Sequence, residues 1–143
     1  WKAKNFLAKI IHVPGHTSGH ICFHFFKEKL VFTGDTLFSL GCGRIFEGTY
    51  EEMFFSLNKI KCLPEETKIY CGHEYTLNNA NFCIRHDLEN QNLQKKIEII
   101  KKQRKNGQPT IPTTIRDELD CNIFLRAKDI KTFSKLRDLK DNF

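Results

Sequence analysis

Histidines recur every four residues near the start of the chain: His12, His16, His20 and His24. On an α-helix this spacing would place all four imidazoles on one face, as a stripe of metal ligands. Pro14, Gly15 and Gly19 interrupt any such helix, so the segment is predicted to form a strand, a tight loop and a second strand. His16 then stands in the loop at the end of a strand, where side chains of several strands converge in an α/β fold. His16 is therefore the candidate metal ligand, although a single loop histidine more often has a structural role.

Two further potential ligands occupy similar places in the chain. Asp35 and His73 each follow directly after a glycine at the end of a predicted strand, where the backbone can turn sharply. Imidazole and carboxylate groups together suit a metal such as Zn, Fe or Mn. The sequence therefore predicts a metal site formed by His16, Asp35 and His73.

The first half of the chain must supply the strands that position these ligands. Apolar runs rich in Ile, Val and Phe predict strands at four places: Leu7–Val13, Ile21–Phe26, Leu30–Thr33 and Thr67–Cys71. Thr49 and Glu52 form a capping box, and apolar residues then recur at helical spacing until Pro64, which predicts a helix of about three turns. Strand, helix, strand order indicates an α/β fold.

The second half of the chain is predicted to be helical. Helices are expected at Ala80–Leu88, at Gln91–Lys105 and from about Lys131 to Lys140, with a polar break over 108–112. The helix Gln91–Lys105 is the most basic segment. Because no aromatic residue is interleaved for base stacking, a solvated helix face is favoured over a nucleic-acid-binding strip.

Composition excludes several classes of protein. Hydrophobic residues make up 40% of the 143 residues and include 13 Phe, which excludes a disordered or low-complexity chain. No apolar run approaches the roughly 20 residues that cross a bilayer, so no membrane partner is expected. The net charge of +6 favours an anionic partner without specifying it.

The six cysteines form no C-x-x-C pair and indicate reduced thiols in an intracellular, cytoplasmic protein. The chain begins at Trp1 without a recognisable targeting signal and is expected to be part of something longer.

Four segments combine into a recognisable pattern: Pro14–His20, Phe32–Phe38, Gly41–Thr49 and Tyr70–Thr76. The first two are typical of the whole metallo-β-lactamase superfamily. The Gly-Cys-Gly-Arg, Glu-Gly-Thr and Gly-His-Glu-Tyr-Thr motifs within the other two are more specific. From about Lys9 to Phe143 the chain resembles glyoxalase II, the hydroxyacylglutathione hydrolase branch of that superfamily. The resemblance implies an α/β fold in which residues 1–73 form the second half of an αββα sandwich and residues 74–143 form a helical, glutathione-binding domain.

The resemblance also implies roles for individual residues. His16 would be a ligand of the first metal, His73 a ligand of the second, and Asp35 the catalytic carboxylate that bridges both. Contacts with the substrate are implied for six residues: Arg44, Phe46, His73, Tyr75, Arg137 and Lys140. Phe46 departs from the family pattern, in which a tyrosine is common, so its ring can pack but offers no hydroxyl. Arg137 and Lys140 lie three residues apart, share one helical face and could clamp one anion.

For the complete protein the resemblance implies a thioester hydrolase that converts S-D-lactoylglutathione to glutathione and D-lactate, in methylglyoxal detoxification. The nucleophile would be hydroxide held by two divalent metals, Zn most readily and Fe or Mn as alternatives. Family members carry a Thr-His-x-His-x-Asp-His motif nearer the N-terminus, and this chain does not contain it. The remaining ligands fall short of the three that a catalytic zinc site ordinarily has. The chain alone is therefore predicted to bind metal weakly or not at all and to have negligible hydrolase activity.

Other functions remain open on these observations. The nearest enzyme alternatives are another metallo-β-lactamase-fold hydrolase or a persulfide dioxygenase. A non-catalytic module that binds glutathione or nucleic acid is the alternative from a different class, although no nucleic-acid partner is expected. Cys42 and Cys71 lie beside the motifs but are predicted to be packing residues. Without the first half of the sandwich one face of the sheet would be uncovered, so self-association through that face is expected.

Overall fold

The computed structural model describes residues 2, 3 and 5–143, so residues 1 and 4 of the predicted first part, 1–73, lie outside the described residues. Within this range the chain forms nine strands and five helices. The strands are β1 (Lys2–Ala3), β2 (Phe6–Leu7), β3 (Lys9–His12), β4 (Ile21–Phe25), β5 (Leu30–Gly34), β6 (Leu37–Phe38), β7 (Gly41–Cys42), β8 (Lys68–Cys71) and β9 (Thr113–Thr114). The helices are α1 (Tyr50–Lys61), α2 (Thr76–His86), α3 (Gln91–Lys105), α4 (Ile115–Cys121) and α5 (Ile130–Asp141).

The main sheet has five strands in the order β3-β4-β5-β8-β9. β3, β4 and β5 are antiparallel neighbours, whereas β5 and β8 are parallel and are connected through α1. The carboxyl ends of two parallel strands meet at the same edge of a sheet. The residues that follow β5 and β8, including Asp35 and His73, therefore lie side by side.

One face of the sheet is covered by helices. Cys22, Val31 and Ile69 point from three neighbouring strands into the same buried cluster as Met53 and Ile60 of α1. Each of these five side chains is fully buried. The strands form because their alternate residues are apolar on this side, as period-two patterning requires.

The opposite face of the sheet carries a row of apolar side chains: Ile10, Phe23, Phe32 and Tyr70, in register across four strands. Phe32 is 45% exposed, and its ring centroid lies 5.4 Å from that of Tyr70 and 5.8 Å from that of Phe25. Ile10 and Ile21 are also exposed. Exposed apolar patches of this kind commonly mark a contact surface. Self-association through this face stays a prediction.

The strongest local signals are confirmed. α1 begins after Thr49, whose side chain accepts from the Glu52 N–H while the Glu52 side chain accepts from the Thr49 N–H, which is the predicted capping box. α3 has the predicted ends at Gln91 and Lys105. No helix in the described part of the chain is long and apolar enough to cross a membrane.

Several predicted boundaries are wrong. The strand predicted over Leu7–Val13 is broken at Ala8 and ends at His12. α2 begins at Thr76 instead of Ala80, because the first turn of this helix is held by tertiary contacts: Asn79 Nδ2 donates to the Ser39 carbonyl over 3.0 Å. α4, β9 and the small hairpin β6-β7 were not predicted. Each is short, and such elements depend on their partners more than on local propensity.

The helical tail is not separate from the sheet. β9 lies in the part predicted to be the helical domain, yet it pairs antiparallel with β8. α5 packs against α1. The two parts are therefore joined through this strand pair and this helix pair. A division into two domains at residue 73 stays a prediction.

Candidate active site

The structure brings the three predicted metal ligands together beside the ends of β5 and β8. Asp35 Oδ2 lies 3.6 Å from His16 Nε2, and Asp35 Oδ1 lies 3.4 Å from His73 Nε2. The two carboxylate oxygens thus face different imidazoles. This is the arrangement that a carboxylate shared by two cations requires.

The orientation of His16 is set by its second ring nitrogen. Nδ1 lies 2.8 Å from the Arg44 carbonyl oxygen, which can only accept a hydrogen bond. Nδ1 therefore carries a hydrogen, and in the neutral ring this leaves the Nε2 lone pair directed toward Asp35. The loop that carries His16 is held at both ends, because Ser56 Oγ donates to the Pro14 carbonyl and the Ser18 N–H donates to Glu47.

His73 is held between aromatic rings. The ring of Tyr75 stacks on it with centroids 4.8 Å apart and an interplanar angle of 15°, and Phe38 contacts it at 6.0 Å. Gly72 lets this loop approach the acidic residue closely, since a Cβ at position 72 would lie 2.6 Å from Asp35 Oδ1. Any larger residue at Gly72 would displace either the carboxylate or the loop.

Glu74 anchors the loop from the other side and does not reach the cavity. Its carboxylate accepts from the Thr110 N–H over 2.8 Å and from the Thr110 hydroxyl over 2.5 Å. Burial acts to raise the pKa of Glu74, but these hydrogen bonds, with Thr76 and Arg104, lower it below its ordinary value. The Glu-Tyr-Thr motif therefore serves partly to attach the His73 loop to the segment before β9.

The other histidines of the four-residue spacing have separate roles. His12 Nε2 donates to the Ser18 carbonyl over 2.8 Å, and His20 Nε2 accepts from the Asp35 N–H over 3.1 Å. His24 is buried within β4, and burial, with the nearby charge of Lys9, lowers its pKa. The expectation that these residues do not form one stripe is confirmed.

The three predicted metal ligands line a cavity of about 530 Å³. Fourteen residues line it: His16, Asp35, Phe38, Cys42, Gly43, Arg44, Phe46, His73, Tyr75, Asn78, Asn79, Arg137, Lys140 and Phe143. All eight residues of the predicted site are among them. The volume is within the range of small-molecule pockets, and the lining combines aromatic rings with a few charged groups.

Arg137 lines this cavity but is engaged by the protein itself. The side chain is 3% exposed, and its two terminal nitrogens donate over 2.8 Å to the Cys42 carbonyl and to Asp141 Oδ1. Arg44 also reaches Asp141 Oδ1, at 3.3 Å from its Nε. Asp141 thus lies between the two guanidinium groups.

Lys140, on the same helix, has fewer contacts with polar groups of the protein than Arg137 has. Its Nζ is inaccessible to solvent and has no hydrogen-bond partner among the described residues. It lies 5.1 Å from the ring centroid of Phe82 and 4.8 Å from that of Phe143. Burial, with the charge of Arg137, lowers the pKa of Lys140 to about 8. A ligand carboxylate that entered the cavity would give this amine an anionic partner.

Cys42 and Cys71, the two cysteines within the motifs, lie in surroundings typical of packing residues. All six cysteines lie in the described part of the chain, and all are free thiols. Burial raises the pKa of both Cys42 and Cys71, which disfavours the reactive thiolate. The expectation that neither acts as a nucleophile stays a prediction that this environment favours.

Sequence reasoning missed Glu118, a fully buried acid on α4. Its carboxylate accepts from the Leu40 N–H, the Asn122 amide and the Thr113 hydroxyl over 2.8, 2.9 and 2.7 Å. Leu40 has φ 58° and forms the turn between β6 and β7, which carries Phe38 and Cys42 to the cavity. A usable signal was present, because Glu118 lies three residues from both Ile115 and Cys121 and so belongs to the buried face of α4.

His16, Asp35 and His73 could hold two cations that share Asp35, but they supply only part of the protein ligands that each cation needs. This chain offers each cation one imidazole nitrogen and one carboxylate oxygen. Among the described residues, no group of three or more His, Cys, Asp or Glu is placed so that it could hold one metal ion by itself. A catalytic zinc ordinarily has three protein ligands, so the set present fits the metal type and leaves each coordination shell incomplete.

Two family models together match residues 4–143 of the chain. A model described as "Metallo-beta-lactamase superfamily" matches residues 4–73, and one described as "Hydroxyacylglutathione hydrolase C-terminus" matches residues 74–143. Among solved structures, the BLEG-1 B3 metallo-beta-lactamase aligns with 89% of this chain and 45% of its own, with 26% identity and a TM-score of 0.60. ETHE1 from Myxococcus xanthus aligns with 96% of this chain and 48% of its own, with 23% identity and a TM-score of 0.66, a likeness that concerns the fold alone.

Curated relatives are more similar in sequence. A hydroxyacylglutathione hydrolase of Pelagibacter ubique (strain HTCC1062) is 65% identical over 143 residues, which are all of this chain and 60% of that protein. One of Maricaulis maris (strain MCS10) is 44% identical over 150 aligned positions, covering 95% of this chain and 59% of that protein. The chain thus spans about 60% of the length of these relatives. It belongs to the hydroxyacylglutathione hydrolase, or glyoxalase II, family of the metallo-β-lactamase superfamily and corresponds to the C-terminal part of that family's proteins.

Proposed function

We propose that this chain supplies the shared carboxylate and the glutathione-binding region of a hydrolase for 2-hydroxyacyl thioesters of glutathione. In the whole protein the reaction would convert S-D-lactoylglutathione to glutathione and D-lactate. One observation carries the proposal: Asp35 directs its two oxygens at His16 and His73, in a cavity that is also lined by Arg44, Arg137 and Lys140.

His16, Asp35 and His73 would hold two divalent cations, Zn²⁺ in the first instance. When bound, these cations would supply a nucleophile at neutral pH and stabilise negative charge on the thioester carbonyl oxygen. The protein's contribution is orientation. The hydrogen bond from His16 Nδ1 to the Arg44 carbonyl and the stacking of Tyr75 on His73 keep both imidazoles directed at the shared carboxylate.

The cations of the cavity would bind the glutathione moiety. Glutathione carries two carboxylates, and the cavity is lined by Arg44, Arg137 and Lys140. Arg44 and Arg137 also pair with Asp141, so Lys140 has the weaker competition from the protein's own acids. Phe46 is 68% exposed and lies against His16 with ring centroids 5.0 Å apart, so it can cover a bound ligand. It has no hydroxyl with which to donate a hydrogen bond.

The leaving group explains why no acid catalyst is needed among these residues. A thiol with an ordinary pKa of about 8.5 leaves as its thiolate near neutral pH. Neither cysteine near the cavity needs to act as a nucleophile, which agrees with their raised pKa values. The chain's residues would therefore bind, orient and shield the thioester.

The cellular setting is a further part of the proposal. Six free thiols suit a reducing compartment, and the cytoplasm is the compartment we propose. There the substrate would arise during methylglyoxal detoxification.

Two measurements test the proposal. Isothermal titration of the folded chain with glutathione should show binding, and Arg44→Gln should weaken it whereas Lys131→Gln, at an exposed position on α5, should not. Joining the chain to the N-terminal remainder of the 65% identical Pelagibacter ubique relative should give turnover of S-D-lactoylglutathione that is lost in Asp35→Asn. If the folded chain binds no glutathione and instead binds RNA with strong salt dependence through the basic helix α3, the proposal is wrong.

A further inference from the structure

We propose that His20 is a positioning residue for Asp35: its imidazole fixes the backbone turn from which the Asp35 carboxylate reaches both His16 and His73. The importance given to Asp35 rests on the proposed function. The contact itself does not, because it is made within this chain and is independent of any bound group.

The two neighbouring histidines use opposite ring nitrogens. In His16, Nδ1 donates to a carbonyl and Nε2 faces the carboxylate. In His20, Nε2 accepts the hydrogen bond from the Asp35 N–H over 3.1 Å. The neutral ring that can accept there carries its hydrogen on Nδ1, and its Nε2 lone pair is committed. His20 therefore acts through the backbone of Asp35 and is not available as a further metal ligand.

The turn is shaped around this ring. Gly34 has φ 52°, and a Cβ at that position would lie 2.6 Å from His20 Nε2 and 3.1 Å from its Cε1. The imidazole thus rests directly on Gly34, in space that a side chain would fill. The backbone that carries the ring is held as well, since the Val13 N–H donates to the His20 carbonyl over 2.8 Å.

The same turn is attached to the His73 loop. The Gly34 carbonyl accepts from the Gly72 N–H over 2.9 Å, while the Thr36 N–H donates to the Thr33 carbonyl over 3.1 Å. Within the described residues the contact that holds the intervening Asp35 N–H is the one with His20. Rotation of that peptide would move the carboxylate away from two imidazoles at once, because each oxygen serves a different one.

The test compares His20→Gln with His20→Phe. The Gln side-chain oxygen can reach the place of Nε2 and accept from the Asp35 N–H, whereas Phe fills the space of the ring without an acceptor. His86→Gln, at an exposed position on α2, is the matched control. Native-state hydrogen exchange by NMR should show the Asp35 amide protected in the original chain, in His20→Gln and in His86→Gln. In His20→Phe it should exchange at least about fivefold faster, the change expected for one ordinary hydrogen bond.

A second measurement needs no variant. Nitrogen-15 NMR of the unaltered chain should show His20 as the neutral tautomer with hydrogen on Nδ1. Crystal structures should keep both carboxylate–imidazole contacts in His20→Gln and lose at least one in His20→Phe. An unprotected Asp35 amide, hydrogen on His20 Nε2, or equal behaviour of the Gln and Phe variants would overturn the inference. None of these readouts depends on hydrolysis, so failure of the proposed function would be recognised separately.

Discussion

Replacing Glu118 gives the sharpest test of how the helical part of the chain supports the cavity. Glu118→Ala removes the acceptor of the Leu40 N–H and leaves that donor buried, whereas the Asn122 amide loses one acceptor and keeps the Gly41 carbonyl at 3.2 Å. Glu118→Gln keeps the shape. Its carbonyl oxygen can accept both N–H groups, and its amide can donate to the Thr113 hydroxyl, which is able to accept.

The two variants are expected to lose clearly different amounts of unfolding free energy. A buried donor without a partner costs about 1 to 3 kcal/mol, and each of the other two lost hydrogen bonds costs about 0.5 to 1.5 kcal/mol. The Ala variant should therefore lose about 2 to 6 kcal/mol of unfolding free energy. A chain of this length is expected to have about 7 to 20 kcal/mol in total. The Gln variant should stay within about 1 kcal/mol of the original chain near pH 5, because the Leu40 N–H and the Asn122 amide retain their acceptor and the hydrogen bond with Thr113 is kept with its direction reversed.

The pH dependence follows from the direction of the pKa shift. Burial raises the pKa of Glu118 above its ordinary value of 4.5, although its three hydrogen bonds act the other way. In the window between the unfolded and the folded pKa, the folded chain holds a proton that the unfolded chain has released. Stability from this group is therefore complete below pH 4.5 and is lost as the pH rises through the folded pKa. The Gln variant lacks this loss, so its stability relative to the original chain should rise with pH.

Urea unfolding followed by circular dichroism between pH 4 and 8 measures these differences. Glu98→Gln and Glu98→Ala, at an exposed position on α3, provide the matched control pair and should stay within about 0.5 kcal/mol. The Ala variant should also bind glutathione more weakly, because the Leu40 turn carries Phe38 and Cys42 to the cavity. A loss below about 1 kcal/mol in Glu118→Ala, or equal losses in Ala and Gln, would refute the role assigned to this carboxylate.

Three further predictions concern the cavity, the metals and the open face of the sheet. Lys140→Met should weaken glutathione binding about tenfold or more in calorimetry, whereas Lys131→Met should not. Binding by the original chain should also weaken as the pH rises through about 8, because the Lys140 amine then loses its charge. After equilibration with Zn²⁺ and desalting, the chain alone should retain well under one ion per molecule by mass spectrometry; near two ions together with thioester turnover would contradict this. In sedimentation velocity the chain should self-associate, and Phe32→Ser should reduce this more than Phe55→Ser, at an exposed position on α1; a compact monomer at high concentration would count against the sheet face.

Local and contiguous signals can be read directly from the amino-acid sequence. The capping box of Thr49 and Glu52 predicts the start of α1, because both of its hydrogen bonds lie within four residues. The glycines before Asp35 and His73 indicate strand ends, and the motifs around them indicate the family. Family membership in turn predicts which side chains converge, although nothing within any single motif states that they meet.

Tertiary structure decided how those residues are used. Parallel pairing of β5 with β8 places Asp35 beside His73, and the hydrogen bond with Asp35 separates the role of His20 from that of His16. Glu118 reaches Leu40 across 78 positions of sequence. Local patterns describe which face of one element is apolar and where it ends. They do not describe which distant N–H or cation a buried carboxylate will meet, because that depends on the packing of elements far apart in the chain.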